Sequence, residues 1–357
     1  MEISMLTEKE LSSIIINAIV VKILMAYPRA FILRSGNAAW ISVIFSVLFA
    51  ALLFGVVRLI YNSRYNVIDL AERIGGKVLR IITAAAVIAM MGINFFTIMR
   101  IVPEFIRLVL LKETYVEIIF IGFIITLILG AVCGIESIGR VHRIFVPIAG
   151  GIFIIFVLLL IPSFRIDYLF PIFGNGTSAI IKDSISGLSI FSDLLVLNIL
   201  ISKTKNSEDH KIAGTKSILI GGLFVVITVL SYCLSYVYPV SADFIMPVYQ
   251  LERLIHLSNF FSRFEAGFQF IWCISVMFYG SMYLAVMSEV WKSGFGHKHS
   301  KPAILPIAVC LAGAALIPKT FTDAAQLQIQ INKWLYIPVF LIPIVLAFAD
   351  KIKNKSK

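Results

Sequence analysis

The chain has 357 residues, of which 59% are hydrophobic and only 14% charged, and its mean hydropathy is +0.95. A soluble domain carries about 25% charged residues, so this composition excludes one and calls for a lipid bilayer as its surroundings. The formal net charge of +11 comes from lysines and arginines scattered through short loops, not gathered on one soluble face, which excludes nucleic acid as a partner.

In chain order, ten apolar segments reach the roughly 20 residues a helix needs to cross about 30 Å of hydrocarbon. They are Leu11–Leu33, Ala39–Tyr61, Val78–Leu110, Tyr115–Ile135, Ser137–Ile161, Ile180–Ile201, Gly214–Val240, Phe264–Trp291, Pro302–Ile317 and Lys333–Ala349. The first is too long for a cleaved signal and no small-residue cleavage site follows it, so it reads as a span that is retained. With the N-terminus placed inside, one side collects Arg58, Arg64, Arg73, Lys77 and Arg80, then Lys203, Lys205, Lys211 and Lys216, then Lys351, Lys353, Lys355 and Lys357. The positive-inside rule puts that side, and both termini, in the cytoplasm.

Two loop segments carry a helical stripe. Arg64–Lys77 aligns Val67, Ile68, Ala71 and Ile74, as an interfacial helix does, and Met246–Leu257 aligns Val248, Leu251, Leu254 and Ile255. The second is predicted to lie outside, where a helix can act as a lid. Ten spans divide into two sets of five, at 11–161 and 180–349, and an odd number per set turns the second over relative to the first. The prediction is a single membrane domain over 1–357 with inverted-repeat symmetry, inferred from the count and not from any visible residue repeat.

The first span of each half is an imperfect helix. In "NAIVVKILMAYPRAF" an ammonium, Lys22, sits about 16 Å from the start of the span at 1.5 Å per residue, and Pro28 follows. A lysine at that depth costs roughly 2.5–3.5 kcal/mol, so it calls for a cavity or a partner. The sixth span, "KDSISGLSIFSDLLVLNILI", holds Ser184, Ser186, Gly187, Ser189, Ser192 and Asp193. Matched interruptions of this kind bare backbone groups that hydrocarbon cannot satisfy and a bound solute can.

Other chemistry is thinly represented. Cys133, Cys233, Cys273 and Cys310 all lie in apolar runs with no C-x-x-C spacing, so neither disulfides nor a metal site are expected. His142, His210 and His256 are read as loop or span-end residues, and His297 with His299 as a solvated basic turn. No nucleophile elbow, phosphate loop, zinc motif or catalytic carboxylate pair is present, so the chain is expected to be neither an enzyme nor a cofactor binder.

Three stretches, "YPR" with "SGNAAWIS" (Tyr27–Arg29 and Ser35–Ser42), "GIESIGRVHRIFVPI" (Gly134–Ile148) and "FSRFEAGFQFIW" (Phe261–Trp272), resemble the B subunits of spore germinant receptors, the GerAB-like proteins. That family lies in the amino acid–polyamine–organocation (APC) transporter superfamily. The resemblance covers nearly the whole chain. It implies an all-α membrane protein of LeuT-type fold, ten transmembrane helices in a 5+5 inverted repeat, with the first and sixth interrupted. It also implies a place in the spore inner membrane and a role in sensing a small germinant such as an amino acid. Partners implied are a larger membrane A subunit and a lipoprotein C subunit. The alternatives are a proton- or cation-coupled amino-acid transporter and a scaffold that binds nothing. Where the family has Gly-x-Gly ahead of Pro-Arg, this chain has Val20 and Lys22, which replaces bare backbone with side chains.

From the resemblance follows the predicted site. Val20, Lys22 and Ile23 of the first span face Gly187, Leu188, Ser189, Ile190 and Asp193 of the sixth, with Asp193 as the acidic partner of Lys22. The third span contributes Met91, Asn94 and Phe95, and the eighth Ser275 and Tyr279. Glu136, Arg140 and Arg143 are expected to form a structural or partner-docking clamp, in which Glu136 and Arg140 pair on one helical face.

Overall fold

The computed structural model describes residues 5–24, 27–61, 65–204, 206, 208–255, 264–318 and 320–355. In chain order its helices are α1 (Glu8–Leu24), α2 (Tyr27–Ser35), α3 (Ala39–Ile60), α4 (Val67–Val109), α5 (Val116–Val132), α6 (Ile135–Leu160), α7 (Thr177–Gly187), α8 (Leu194–Leu200), α9 (Asp209–Ser235), α10 (Val240–Asp243), α11 (Pro247–Glu252), α12 (Phe264–Phe295), α13 (Ile304–Ala315) and α14 (Phe321–Lys355). Among the described residues there is no strand, only an isolated bridge between Leu6 and Thr204. The all-α expectation is met.

Seven segments are long and apolar enough to cross a membrane: Tyr27–Ile60, Val67–Val109, Ile135–Ser163, Thr177–Lys203, Asp209–Ser235, Gly267–Phe295 and Trp334–Lys353. Val116–Val132 and Lys301–Ala315 are shorter apolar helices, and α1 has 17 residues. By length and hydropathy seven segments among the described residues qualify as spans where ten are expected, and the remaining apolar helices are shorter. Outward faces are lipid-like: Leu59, Ile118, Leu129, Ile144 and Leu219 are all exposed, as a chain solvated by hydrocarbon requires.

Helices α1 and α8 lie at the centre. From Glu10 to Ile23 every residue of α1 except Val20 is buried, and so is all of α8. Helix α1 packs most extensively on α9, then on α6 and α12. The contact with α6 depends on Gly139, where a Cβ would come within 2.8 Å of Leu6 and 3.2 Å of Glu10.

The sequence expectations are refined at several points. The interfacial helix beginning at Val67 is present, capped by Asn66, whose side chain accepts from the amides of Ile68 and Asp69. Gly75 and Gly76 bend it away from the long span, and Gly76 has φ +68°, a conformation that favours glycine. The outer helix is shorter than its stripe suggested: α11 stops at Glu252, although Val248, Leu251 and Ile255 are buried as expected. His142 is a correction, since it lies two turns inside α6, fully buried, with Nδ1 2.8 Å from the Ile138 carbonyl. The expected features at His256, Arg64 and Lys205 lie outside the described residues, as do Phe261, Ser262 and Arg263 of the motif at Phe261–Trp272.

Candidate functional site

The sixth segment does not continue as an α-helix through the membrane. Helix α7 ends at Gly187, Leu188–Phe191 winds as a 3₁₀ helix, and Ser192 and Asp193 make a turn before α8. This corrects the expectation of unwound backbone, because tighter i→i+3 winding keeps some bonds, such as Ser192 N–H to the Ser189 carbonyl at 3.2 Å. Changing from α to 3₁₀ winding and back still turns the Ser189 carbonyl, the Ser192 hydroxyl and the Asp193 carboxylate to one side. The first segment is described as α1 and α2, with Met25 and Ala26 between them outside the described residues.

Lys22 of α1 meets that side. Its Nζ lies 2.6 Å from Asp193 Oδ2 and donates to Ser192 Oγ at 2.8 Å and to the Ser189 carbonyl at 3.3 Å. An ammonium has three N–H groups; two bond to Ser192 and Ser189, and the Asp193 carboxylate stands beside them as the counter-charge. Tyr279 donates to Asp193 Oδ1 at 3.4 Å, and Tyr283 makes a closer bond to the same oxygen. Lys22 and Asp193 are 2% and 1% exposed, a depth at which only a paired and fully bonded charge persists.

Other predicted residues take different parts. Ile23, Leu188 and Ile190 are buried core. Gly187 serves helix packing: a Cβ there would sit 2.2 Å from Ser46 Oγ and 2.6 Å from Phe31 Cζ. Met91, Asn94 and Phe95 are buried on α4, and the Asn94 amide nitrogen has no hydrogen-bond partner among the described residues, like Asn198 Oδ1 on α8. Val20 and Ser275 turn away from the pair and line a cavity of about 760 Å³ between α1, α6, α9 and α12. The Ser275 carbonyl accepts from Asn17 Nδ2 at 3.0 Å, and that nitrogen is also 3.3 Å from His142 Nε2.

Two further polar links flank the pair. At one end Asp183 of α7 accepts from Ser35 Oγ at 2.7 Å and meets Arg34 Nη1 at 3.3 Å, which joins α7 to α2. At the other, Lys203 lies 3.1 Å from Glu136 and 2.9 Å from Glu289, while its carbonyl accepts from the Leu6 amide at 2.9 Å. Glu136 therefore bonds to Lys203, whereas Arg140 donates to Ser137 Oγ at 3.1 Å, and Arg143 is exposed at the mouth of the large cavity. The expectation of a Glu136–Arg140 pair overlooked Lys203, which lies 67 residues away in sequence.

A second, small cavity of about 30 Å³ lies on the α11 side, bounded by Leu24, Phe105, Tyr249, Glu252, Gln269 and Trp272. Gln269 Nε2 lies 2.6 Å from both carboxylate oxygens of the buried Glu252. Gln269 Oε1 and Trp272 Nε1 are buried with no hydrogen-bond partner among the described residues.

The family model described as "Spore germination protein" matches residues 5–324. The chain belongs to that family. Spore germination protein A2 of Bacillus subtilis (strain 168) is 23% identical over 266 residues, which cover 72% of this chain and 70% of that one. Among solved structures, Mhp1, a nucleobase-cation-symport-1 family transporter in a closed conformation with bromovinylhydantoin bound, superposes with a TM-score of 0.67. It is 11% identical, with 100% of this chain and 96% of that one covered. This family member therefore has the LeuT-type transporter fold, and the motifs that resemble the family acquire structural roles. Asn37 of "SGNAAWIS" donates to the carbonyls of Tyr168 and Phe170 at 2.9 and 2.6 Å, and "GIESIGRVHRIFVPI" supplies Glu136, Gly139 and His142.

The sequence reading missed Asn17, Ser192's part in holding the ammonium, Lys203, Tyr283 and Asn198. Tyr283 was recoverable, since it follows Tyr279 by four residues on the same helical face. Asn17 had the same signal as Lys22, a polar side chain within an apolar run.

Proposed function

We propose that this germination protein is the transporter-like sensing subunit of a germinant receptor in the spore inner membrane, working with a larger membrane subunit and a lipoprotein. It binds a small nutrient such as an amino acid and answers by changing the packing of α1 and α2 against α7 and α8. The observation that carries this reading is the environment of Lys22. A carboxylate, a hydroxyl and a backbone carbonyl surround its ammonium, the oxygen donors that a monovalent cation would take.

A cation tethered to α1 cannot leave with a solute. It can hold two interrupted segments together and release them when a ligand favours the other arrangement. Such a ligand shifts the equilibrium only as far as its affinities for the two arrangements differ. The nutrient enters beneath α11, where Gln269 Oε1 and Trp272 Nε1 offer an unused acceptor and donor. In its present form that space holds about one or two waters, so α11 lifts on entry.

The test is paired. Purified protein is heated with millimolar candidate amino acids, and the same protein in proteoliposomes is given labelled amino acid. Ligand-dependent stabilisation that Trp272→Phe and Gln269→Leu weaken, without uptake, is the expected result. Concentrative uptake would make the chain a transporter, and no stabilisation by any tested nutrient would leave it a scaffold.

A further inference from the structure

We propose that the groove between α6 and α9 is a binding site for one anionic phospholipid; its inner end adjoins the small cavity beneath α11, with Leu24, Phe268 and Trp272 lining both. The two helices touch each other little, and the space between them is the 760 Å³ cavity whose floor is α1 and α12. Its walls are apolar for most of their length. At Gly150 and Gly151 an added Cβ would meet nothing within 4 Å, so this part of the wall borders open space.

The charges are confined to one end. Lys9, Arg143 and Lys216 line it and are exposed; Lys216 pairs with Glu8 at 3.0 Å, whereas Lys9 and Arg143 have no ionic partner among the described residues. Three cations against one carboxylate leave a positive mouth on an apolar trough. Basic pockets between membrane helices hold anionic headgroups in this way. Long cationic side chains also reach from their helices to headgroup level.

The trough has the depth of one leaflet. From Arg143 to Phe153 along α6 is about 15 Å, and from Lys216 to Phe224 along α9 about 12 Å, at 1.5 Å per residue. Half of a hydrocarbon core of roughly 30 Å is about 15 Å. At that depth the rings of Phe153 and Phe224 stack with centroids 3.6 Å apart and bridge the two walls. A straight transmembrane helix, about 10 Å wide, would have to pass that bridge; an acyl chain can end beneath it. The occupant would lie on the α1 face that carries Ser13, Asn17 and Val20, close in sequence to Lys22.

The experiment titrates delipidated full-length protein in detergent with phosphatidylglycerol or phosphatidylcholine and counts retained lipid by native mass spectrometry. One phosphatidylglycerol is expected to bind at concentrations where phosphatidylcholine does not. Combining Lys9→Gln, Arg143→Gln and Lys216→Gln should weaken it roughly a hundred-fold. Gly150→Trp, which fills the trough and leaves every charge in place, should expel the tail and reduce binding to the same level. Equal retention of the two lipids would overturn the proposal, as would phosphatidylglycerol binding untouched by Gly150→Trp. Disulfide-linked pairs of a Gly150→Cys variant, formed in phosphatidylglycerol membranes, would assign the groove to a second copy of the chain and overturn it too.

Discussion

Lys22 and Asp193 lie 171 positions apart in sequence, yet their charged atoms meet at 2.6 Å in the middle of the molecule, out of reach of solvent. Removing one partner leaves the other as a buried bare charge, which typically costs 3–5 kcal/mol. Lys22→Met and Asp193→Leu alone should each destabilise by about that amount, whereas the double variant should recover most of the loss because an apolar pair needs no compensation. Thermal unfolding of the three purified variants checks this. A double variant no better than the singles would mean that the two charges do not act as a unit.

Asp193 is held from its other side by two tyrosines of unequal reach. Tyr283 makes the closer bond, and Tyr279 stands at 3.4 Å. A hydrogen bond to a charged group contributes about 1.5–3 kcal/mol, so Tyr283→Phe should destabilise within that range and Tyr279→Phe by clearly less. Equal losses from the two variants would contradict the geometry.

How far the sequence could go is visible in these same residues. Lys22 was legible because one ammonium in an apolar run has few physical explanations, and Asp193 because a second interruption was required opposite the first. The tight winding of Leu188–Phe191 was not legible, since serine and glycine weaken an α-helix without specifying what replaces it. Gly187 was misleading for a related reason: glycine marks a close approach, but not of what, and here the approaching groups are Ser46 and Phe31. Lys203 and Glu289 were invisible because each reads as an ordinary charge at the end of a span; only the fold brings them together.

The role of Gly187 yields a direct test. Gly187→Ala forces a methyl group into contact with Ser46 Oγ and Phe31 Cζ, and overpacking of this kind costs about 1–3 kcal/mol. Gly150→Ala, whose methyl would meet open space, should stay within about 0.5 kcal/mol of the parent, the usual range for a substitution away from packed features. The difference between the two unfolding temperatures measures how tightly α7 is seated on α2 and α3.

The Lys203 cluster makes a different kind of prediction, because it joins α6, α12 and the segment after α8 at a partly exposed end of the molecule and not in its core. Lys203 is 23% exposed and its partners Glu136 and Glu289 are 25% and 19% exposed. Its contribution is therefore discounted from the buried-pair value to about 1–2 kcal/mol. Lys203→Gln leaves Glu136 without its cation and Glu289 with only the more distant Lys292, 3.7 Å away. Repulsion should then part α6 from α12 at that end and loosen the bond from the Leu6 amide to the Lys203 carbonyl. Hydrogen exchange at Leu6 reads that local opening separately from global unfolding. Exchange that rises several-fold while the unfolding temperature falls only slightly would identify a latch across this end of the interrupted helices; exchange that merely follows global stability would make the cluster ordinary structural glue.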